Sequence, residues 1–260
     1  AEEKAQGKVL LCRTTAKSDL KINVPGFNPN ALPVRTLPVR IETIEIKHDV
    51  ALLRLALPKA PSFAFYAGQY IDLLLPGNIS RSYSIANSPD QEGVLELHIR
   101  KRENGVCSEM IFGADPKIKE KGIVRVKGPL GTFTLQKDSD KPIVLLATGT
   151  GYAPIRSILL DLIHQNSKRP VHFYWGARQQ ENLYALEEAE ALIGRLKNAK
   201  FSPVLSKPDS DWKGENEYVQ NVAAQNYPDL SQYEVYACGS PAMTESAQSL
   251  LTQKCALPED

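Results

Sequence analysis

The chain has 260 residues, 42% of them hydrophobic and 23% charged, and its 31 basic and 30 acidic side chains nearly cancel. That profile fits a globular protein with two ordinary cores and argues against a nucleic-acid track or a polybasic membrane-binding surface. No apolar run approaches the roughly 18 to 20 residues that span a bilayer, and the first residues carry neither the basic nor the apolar region of a signal peptide, so a cytoplasmic location is expected. Cys12, Cys107, Cys238 and Cys255 are widely spaced with no Cys-x-x-Cys pattern, so neither a disulfide framework nor a complete metal site is expected.

Residues 1–24 read as two short strands, 7–12 and 18–24, the tail of a domain rather than its beginning. Pro25, Pro29, Pro33 and Pro38 then punctuate a stretch that suits neither a helix nor a sheet ladder, which predicts a linker over 25–38. From 39 to 137 the pattern is one of short strands, at 39–46, 51–57, 69–75, 82–86, 94–100, 123–127 and 132–135, separated by turn residues such as Pro76-Gly77-Asn78 and Gly128-Pro129. Many short strands with one helix predict a small antiparallel β-barrel.

Within that barrel, Arg81-Ser82-Tyr83-Ser84-Ile85-Ala86-Asn87 reads as a flavin seat. Arg81 and Tyr83, two apart on an extended segment, project to one face, where a guanidinium can meet a phosphate while a phenol ring lies against an aromatic plane. Ser84 follows on the opposite pleat, with its amide and hydroxyl free to bond ring heteroatoms. The bland alternative is a barrel strand with a solvated Arg and a half-buried Tyr.

In 94–100, Leu95, Leu97 and Ile99 share one face, and Glu96, His98 and Arg100 share the other. Arg100 is placed to help neutralise the cofactor's pyrophosphate, and the segment from His98 through Ile99 to contact the cofactor backbone; for His98 a hydrogen-bonded structural role is the alternative. The helix opens at Gly105-Val106-Cys107-Ser108, where glycine lets the backbone approach a ligand and the first amides lack internal acceptors. Its start therefore offers a further pyrophosphate contact, against the alternative of a Ser-capped surface helix.

After Asp138-Ser139-Asp140 the rhythm becomes strand, helix, strand, helix. The apolar run 142–147 is written as a parallel strand covered on both faces, and the helix after it carries Ile155, Ile158, Leu159 and Leu162 on one side. Strands at 171–175, 200–205 and 234–238 alternate with helices at 182–196, 218–225 and 241–254, which predicts a doubly wound parallel sheet with its ligand crevice beyond the strands' carboxyl ends. Three of those ends carry glycine-containing turns. Thr148-Gly149-Thr150-Gly151-Tyr152-Ala153-Pro154 is a reasonable pyrophosphate cradle, although Pro154 stands where the usual dinucleotide fingerprint has its third glycine. Trp175-Gly176-Ala177-Arg178 offers a cation where an ordinary NAD site offers a carboxylate to the ribose. Cys238-Gly239-Ser240 leaves room for a flat ring, while a buried core cysteine is the simpler reading of Cys238 alone.

In this order, Arg81-Ser82-Tyr83-Ser84, Gly105-x-x-Ser108, Gly128-Pro129-Leu130-Gly131-Thr132-Phe133, Gly149-x-Gly151-x-x-Pro154 and Cys238-Gly239-Ser240 resemble the ferredoxin–NAD(P) reductase family over residues 39–260. The nearer likeness, carried by residues 81–87, Tyr236-Ala237-Cys238-Gly239-Ser240 and Pro228-Asp229-Leu230-Ser231, is to members fused to a plant-type ferredoxin domain. The resemblance implies an FAD-binding β-barrel at 39–137, an NAD(P)-binding α/β domain at 138–260, and a ferredoxin-domain remnant at 1–24. It implies that Tyr83 packs on the isoalloxazine, Ser84 approaches its reactive nitrogen, Arg81 holds the pyrophosphate and residues 105–108 cap it. Gly149, Thr150 and Gly151 would receive NAD(P)H, with Cys238 near the nicotinamide; Thr148 stands where the family often has Gly. Cys12 resembles the last ligand of a 2Fe-2S cluster whose other ligands are absent, so a cluster is expected only in a longer parent chain.

The function implied is transfer of electrons from NAD(P)H, with NADH favoured, through FAD to an iron–sulfur protein or domain. The alternatives are a free-standing flavin or quinone reductase and a non-catalytic electron-transfer subunit.

Overall fold

The computed structural model describes residues 32–136 and 138–258, so the strands expected at 7–12 and 18–24, the first half of the expected linker, and Cys12 lie outside the described residues. Six strands, β1 (Arg35–Lys47), β2 (Val50–Ala56), β3 (Tyr70–Leu75), β4 (Ile79–Ser84), β5 (Val94–Arg100) and β6 (Ile123–Leu130), form one sheet in the order β4-β3-β6-β1-β2-β5. All its pairings are antiparallel. Strand alternation sends Leu37, Val39 and Ile41, then Leu53 and Leu55, Ile71 and Leu73, and Leu95, Leu97 and Ile99 to one side, where they fuse into a single core. The sheet curls over that core until Ile85, just past β4, bridges Leu97 of β5. The two edges of the sheet thus meet, and the barrel expected from the sequence is formed.

Two local expectations are corrected. Pro38, read as linker, lies within β1 opposite Arg125 of β6; β2 pairs with β1 only from Arg40 onward, so the missing proline N–H falls where β1 has one neighbour. Residues 132–135 form no strand: the chain turns at Gly131, and Phe133 packs edge-on against Tyr236 of the second sheet. The segment spends its backbone on crossing between layers. The single barrel helix, α1 (Val106–Phe112), sits where the sequence places it.

The second sheet is parallel, in the order β10-β9-β8-β7-β11: β7 (Ile143–Thr148), β8 (Val171–Ala177), β9 (Ala199–Leu205), β10 (Glu215–Asn216) and β11 (Glu234–Cys238). Its core is double. Ile143, Leu145 and Ala147 of β7 pack with α2 (Tyr152–His164) and α3 (Leu186–Ile193), whereas Val144 and Leu146 pack with α4 (Val219–Asn226) and α5 (Pro241–Lys254). A continuous apolar strand is required because both of its faces are covered.

The helix expected over 182–196 is shorter, because Leu183 (φ −83°, ψ 63°) and Ala185 (φ −138°, ψ 38°) leave helical backbone angles, and α3 opens only at Leu186. The order of the sheet positions the site. β7, first of these strands in the chain, has β8 on one side and β11 on the other, so strand order reverses between β7 and β11 and leaves a crevice at their carboxyl ends.

Candidate active site

At that reversal the backbones approach so closely that side chains are excluded. A Cβ on Gly151 would stand 2.0 Å from the carbonyl oxygen of Cys238, and one on Gly239 would stand 2.0 Å from Thr148 Oγ1. Thr148 uses the same hydroxyl to accept a hydrogen bond from the Ser240 amide at 3.2 Å. The ends of β7 and β11 are therefore stitched by the threonine that stands at the expected glycine position. Gly149 adopts a left-handed φ of 53°, and its carbonyl accepts a 3.1 Å bond from the indole of fully buried Trp175. The turn Gly149–Gly151 is thus held from below by a tryptophan of β8, whose role the sequence does not announce.

The barrel closes the crevice from above. A cavity of about 980 Å³ is lined by Ser82, Tyr83 and Ser84 of β4, by His98 and Arg100 of β5, and by Thr148, Gly149, Thr150, Gly151, Gly176, Arg178, Cys238, Gly239 and Ser240 of the second sheet's strand ends. Residues more than 150 positions apart in the chain, Ser82 and Cys238 among them, share one wall. Arg81 lies at the barrel edge, exposed, donating to the Ser80 carbonyl at 2.8 Å, and its charge acts on both Tyr83 and Cys107.

Other expected residues face elsewhere. Ile99 points into the barrel core, and Pro154 is buried in the first turn of α2. Gly105, Val106, Cys107 and Ser108 do not line this cavity: Val106 is exposed at the start of α1, Ser108 Oγ accepts from the Arg102 amide at 2.8 Å, and the Cys107 thiol is buried against Tyr83. Ser108 thereby fixes Arg102, a crevice residue the sequence reading missed, along with Asp49, Asn182, Ser206, Tyr218 and Gln220. Those residues sit on loops or at element starts, where no periodicity marks them.

Electrostatics distinguish the walls. Arg100 Nε lies 3.0 Å from Asp49 Oδ2, yet neither Nε nor Nη2 has a hydrogen-bond partner among the described residues, and Nη1 would be 2.8 Å from a Cβ on Gly149. An under-satisfied guanidinium over a tight glycine turn is a fitting place for an anionic group. Burial pushes the Cys238 thiol up to about 11, so it faces the crevice as a neutral group. Burial also pushes Tyr83 well above the ordinary phenol range, with its hydrogen bond to Cys107 adding to the effect. His98 is turned from solvent: its Nδ1 is 2.7 Å from the Tyr184 hydroxyl, its ring meets Tyr184 edge-on, and burial drives it down to about 3, so it is neutral. Among the described residues no group of three or more His, Cys, Asp or Glu side chains could hold a metal ion, and no helix is long and apolar enough to cross a membrane.

Comparison with known proteins agrees with this division of the chain. Residues 39–135 match the oxidoreductase FAD-binding domain, and residues 145–249 match the oxidoreductase NAD-binding domain. The chain belongs to the ferredoxin–NAD(P) reductase family and is an NAD(P)H-dependent FAD oxidoreductase. The likeness of its motifs to CDP-6-deoxy-3,4-glucoseen reductase has a counterpart in CDP-6-deoxy-L-threo-D-glycero-4-hexulose-3-dehydrase reductase of Yersinia pestis. That relative is 41% identical over 251 residues, which cover 95% of this chain and 74% of the relative. The NAD(P)H-flavin reductase of Vibrio harveyi is 34% identical over 75% of this chain and 83% of its own. The cytochrome P450 reductase GcoB of Amycolatopsis has the same fold, with a TM-score of 0.81 at 30% identity, covering 97% of this chain and 76% of that one.

The depressed value of His98 has a consequence for stability. Between about 3 and its ordinary 6.5, the unfolded chain binds a proton at this imidazole that the folded chain does not, so its contribution is complete above 6.5 and is lost as pH falls toward 3. Denaturation at a series of pH values is expected to show stability falling through this window. The His98→Gln variant is expected to lack up to about 1.4 kcal/mol per pH unit of that slope. Equal slopes in the two proteins would contradict the buried, neutral assignment.

Proposed function

We propose that this protein takes electrons from NADH and passes them through FAD, one at a time, to an iron–sulfur protein or domain. The observation that supports this reading best is that Tyr83 and Ser84 of the barrel and the glycine turns of β7, β8 and β11 line one crevice. One seat suits a flat ring beside β4, the other a dinucleotide across the strand ends. In this reading residues 39–137 are the flavin domain, 138–260 the nucleotide domain, and the protein works in the cytoplasm.

When bound, the dihydronicotinamide would supply a hydride, and the flavin would take it up and pass its two electrons on singly to the acceptor. The chain's own residues bind and orient. Tyr83 lies against the flavin ring with its phenol protonated, and the Ser84 hydroxyl and amide bond the ring's edge. Arg81 and Arg102, with the amides that open α1, neutralise the pyrophosphate, and this second phosphate contact favours FAD over FMN. Gly149, Thr150 and Gly151 let a nucleotide backbone approach β7 closely, beneath Arg100. Cys238 adjoins the nicotinamide as a neutral thiol, so it adds no charge beside the ring that donates hydride. The chemistry calls on no acid–base triad.

The acceptor is inferred from relatives: the Yersinia pestis protein is named a dehydrase reductase, and the Amycolatopsis structure is described as a cytochrome P450 reductase. These two names speak for a protein acceptor, and the flavin reductase of Vibrio harveyi speaks for the alternative of a free flavin.

Flavin released from the purified protein by heat is expected to chromatograph as FAD. Arg81→Ala is expected to weaken FAD binding by about 10- to 100-fold, the equivalent of a charge-assisted bond of roughly 1.5 to 3 kcal/mol. A dominant FMN peak, or unchanged FAD affinity in the variant, would sink the proposed seat.

Nucleotide preference follows from the β8 end. A 2′-phosphate needs several fixed donors to offset its desolvation, yet beside the crevice wall Arg178 is followed by Gln179, Gln180 and Glu181, and the neighbouring Ser206 is neutral. Steady-state dye reduction at one ionic strength is expected to give a higher kcat/KM with NADH than with NADPH. A higher value for NADPH that Arg178→Ala abolishes would reverse the assignment.

A further inference from the structure

Helix α2, which opens directly from the turn Gly149–Gly151, sends a side chain across to the barrel one turn later. Arg156, 15% exposed at its side chain, donates from Nη1 to the carbonyl of Ala86 at 2.8 Å and to Glu96 Oε2 of β5 at 2.8 Å. Its Nε and Nη2 reach Glu188 Oε1 of α3 at 2.9 and 2.8 Å. The next residue, fully buried Ser157, donates to the carbonyl of Asn87 at 2.6 Å. Burial opposes the guanidinium's charge, but Glu188 and Glu96 more than offset this and hold its pKa above the ordinary arginine range. The peptide it grips is fixed on the barrel side too, because the Ala86 amide donates to the Glu96 carbonyl at 2.8 Å and Asn87 Oδ1 accepts from the Glu96 amide at 2.8 Å.

We infer that Arg156 is a positioning residue for hydride transfer, which sets the distance between the two rings by fixing α2 on the Ala86-Asn87 peptide. This rests on the reading that Ser84 and the Gly149–Gly151 turn face the flavin and the nucleotide. Both anchors lie close to those groups. Ala86 is two residues beyond Ser84, about 7 Å along an extended chain, and Arg156 is about 6 Å up the helix from Tyr152. With so short a lever arm, a shift at the anchor is passed on nearly undiminished.

A second clamp holds the opposite side. Arg169 donates to the carbonyls of Gln136 and Lys141 on the connecting segment, at 3.2 and 2.7 Å, and to Glu234 Oε2 of β11 at 2.7 Å. The His98–Tyr184 bond and the packing of Val50 and Ala67 into the second core also join the layers; Arg156 is the contact that ties α2 itself to the Ala86-Asn87 peptide. An apolar contact would bury this interface at lower desolvation cost, but it would lack the fixed directions of a guanidinium bonded to three acceptors.

The test compares full-length, flavin-loaded wild type with Arg156→Lys and Ser157→Ala; Arg156→Ala is included, although it strands two carboxylates and can fail to fold. Stopped-flow reduction by NADH under anaerobic conditions reads the transfer rate and its amplitude. Amide hydrogen exchange, which needs no turnover, reads the order of residues 86–96 and 152–160. Arg156→Lys keeps the charge but cannot reach three acceptors. It is expected to slow transfer by about 100-fold, the cost of a displacement of about 1 Å, with full amplitude, unchanged flavin content, NADH affinity within about twofold of wild type and faster exchange at both segments. Ser157→Ala is expected to show a smaller loss of the same kind. If Arg156→Lys keeps pace with wild type, or loses only amplitude in proportion to lost flavin, the positioning role is overturned while the functional reading stands. A flavin-loaded wild type that NADH does not reduce would overturn the functional reading itself.

Discussion

Strand β5 has two faces and serves two layers, and the geometry of the crevice depends on it. Leu95, Leu97 and Ile99 bury in the barrel core, which fixes the register of β5 against β2. The alternate residues then have no choice of direction. Glu96 meets Arg156, His98 meets Tyr184, and Arg100 lies over Gly149. A slip of one residue would send three charged or polar groups into an apolar core, so the hydrophobic effect inside the barrel enforces the polar contacts that join it to the second sheet. The aromatic stack below carries the same constraint deeper: Tyr152 lies 4.2 Å from Trp175, ring centroid to ring centroid, and Trp175 in turn holds the Gly149 carbonyl.

This arrangement divides labour between rigidity and openness. The strand ends that face the crevice carry glycine because a Cβ would strike the Cys238 backbone at Gly151, Thr148 at Gly239, Val219 at Gly176 and the Arg100 guanidinium at Gly149. What remains is an open seat whose walls are fixed by groups that do not face it, Trp175, Ser108 and Arg156, and by Thr148, which does. In a redox protein whose cofactors carry the chemistry, the protein's contribution is largely this kind of orientation.

Much of the fold could be read directly. Period-two burial in β3, the alternation of apolar and polar residues in β5, the continuous apolar run of β7, and the apolar stripe of α2 each lie where the sequence places them. The glycine turns at 149, 176 and 239 were legible as a group because a doubly wound sheet brings the carboxyl ends of its strands together. Less legible were features that depend on partners distant in the chain. The charged face of β5 signals a need for partners but not their identity, and its ion pair with Arg156 spans 60 residues. Arg156 itself reads as an ordinary arginine on the flank of an apolar helix. The start of α3 was misplaced because Leu183, Tyr184 and Ala185 suit a helix by composition, while the backbone at Leu183 and Ala185 is not helical. Thr148, a departure from the family pattern, has a role visible only when its hydroxyl is seen bonding the Ser240 amide.

The central claim is that one crevice holds a flavin and a nicotinamide close enough to react. The most direct measurement is the visible absorption spectrum of the purified, FAD-loaded protein under anaerobic conditions, before and after one equivalent of NADH. The account predicts flavin bands at the outset and their near-complete bleaching by a single equivalent. A protein that takes up no flavin, or whose bands persist with NADH in excess, would contradict it.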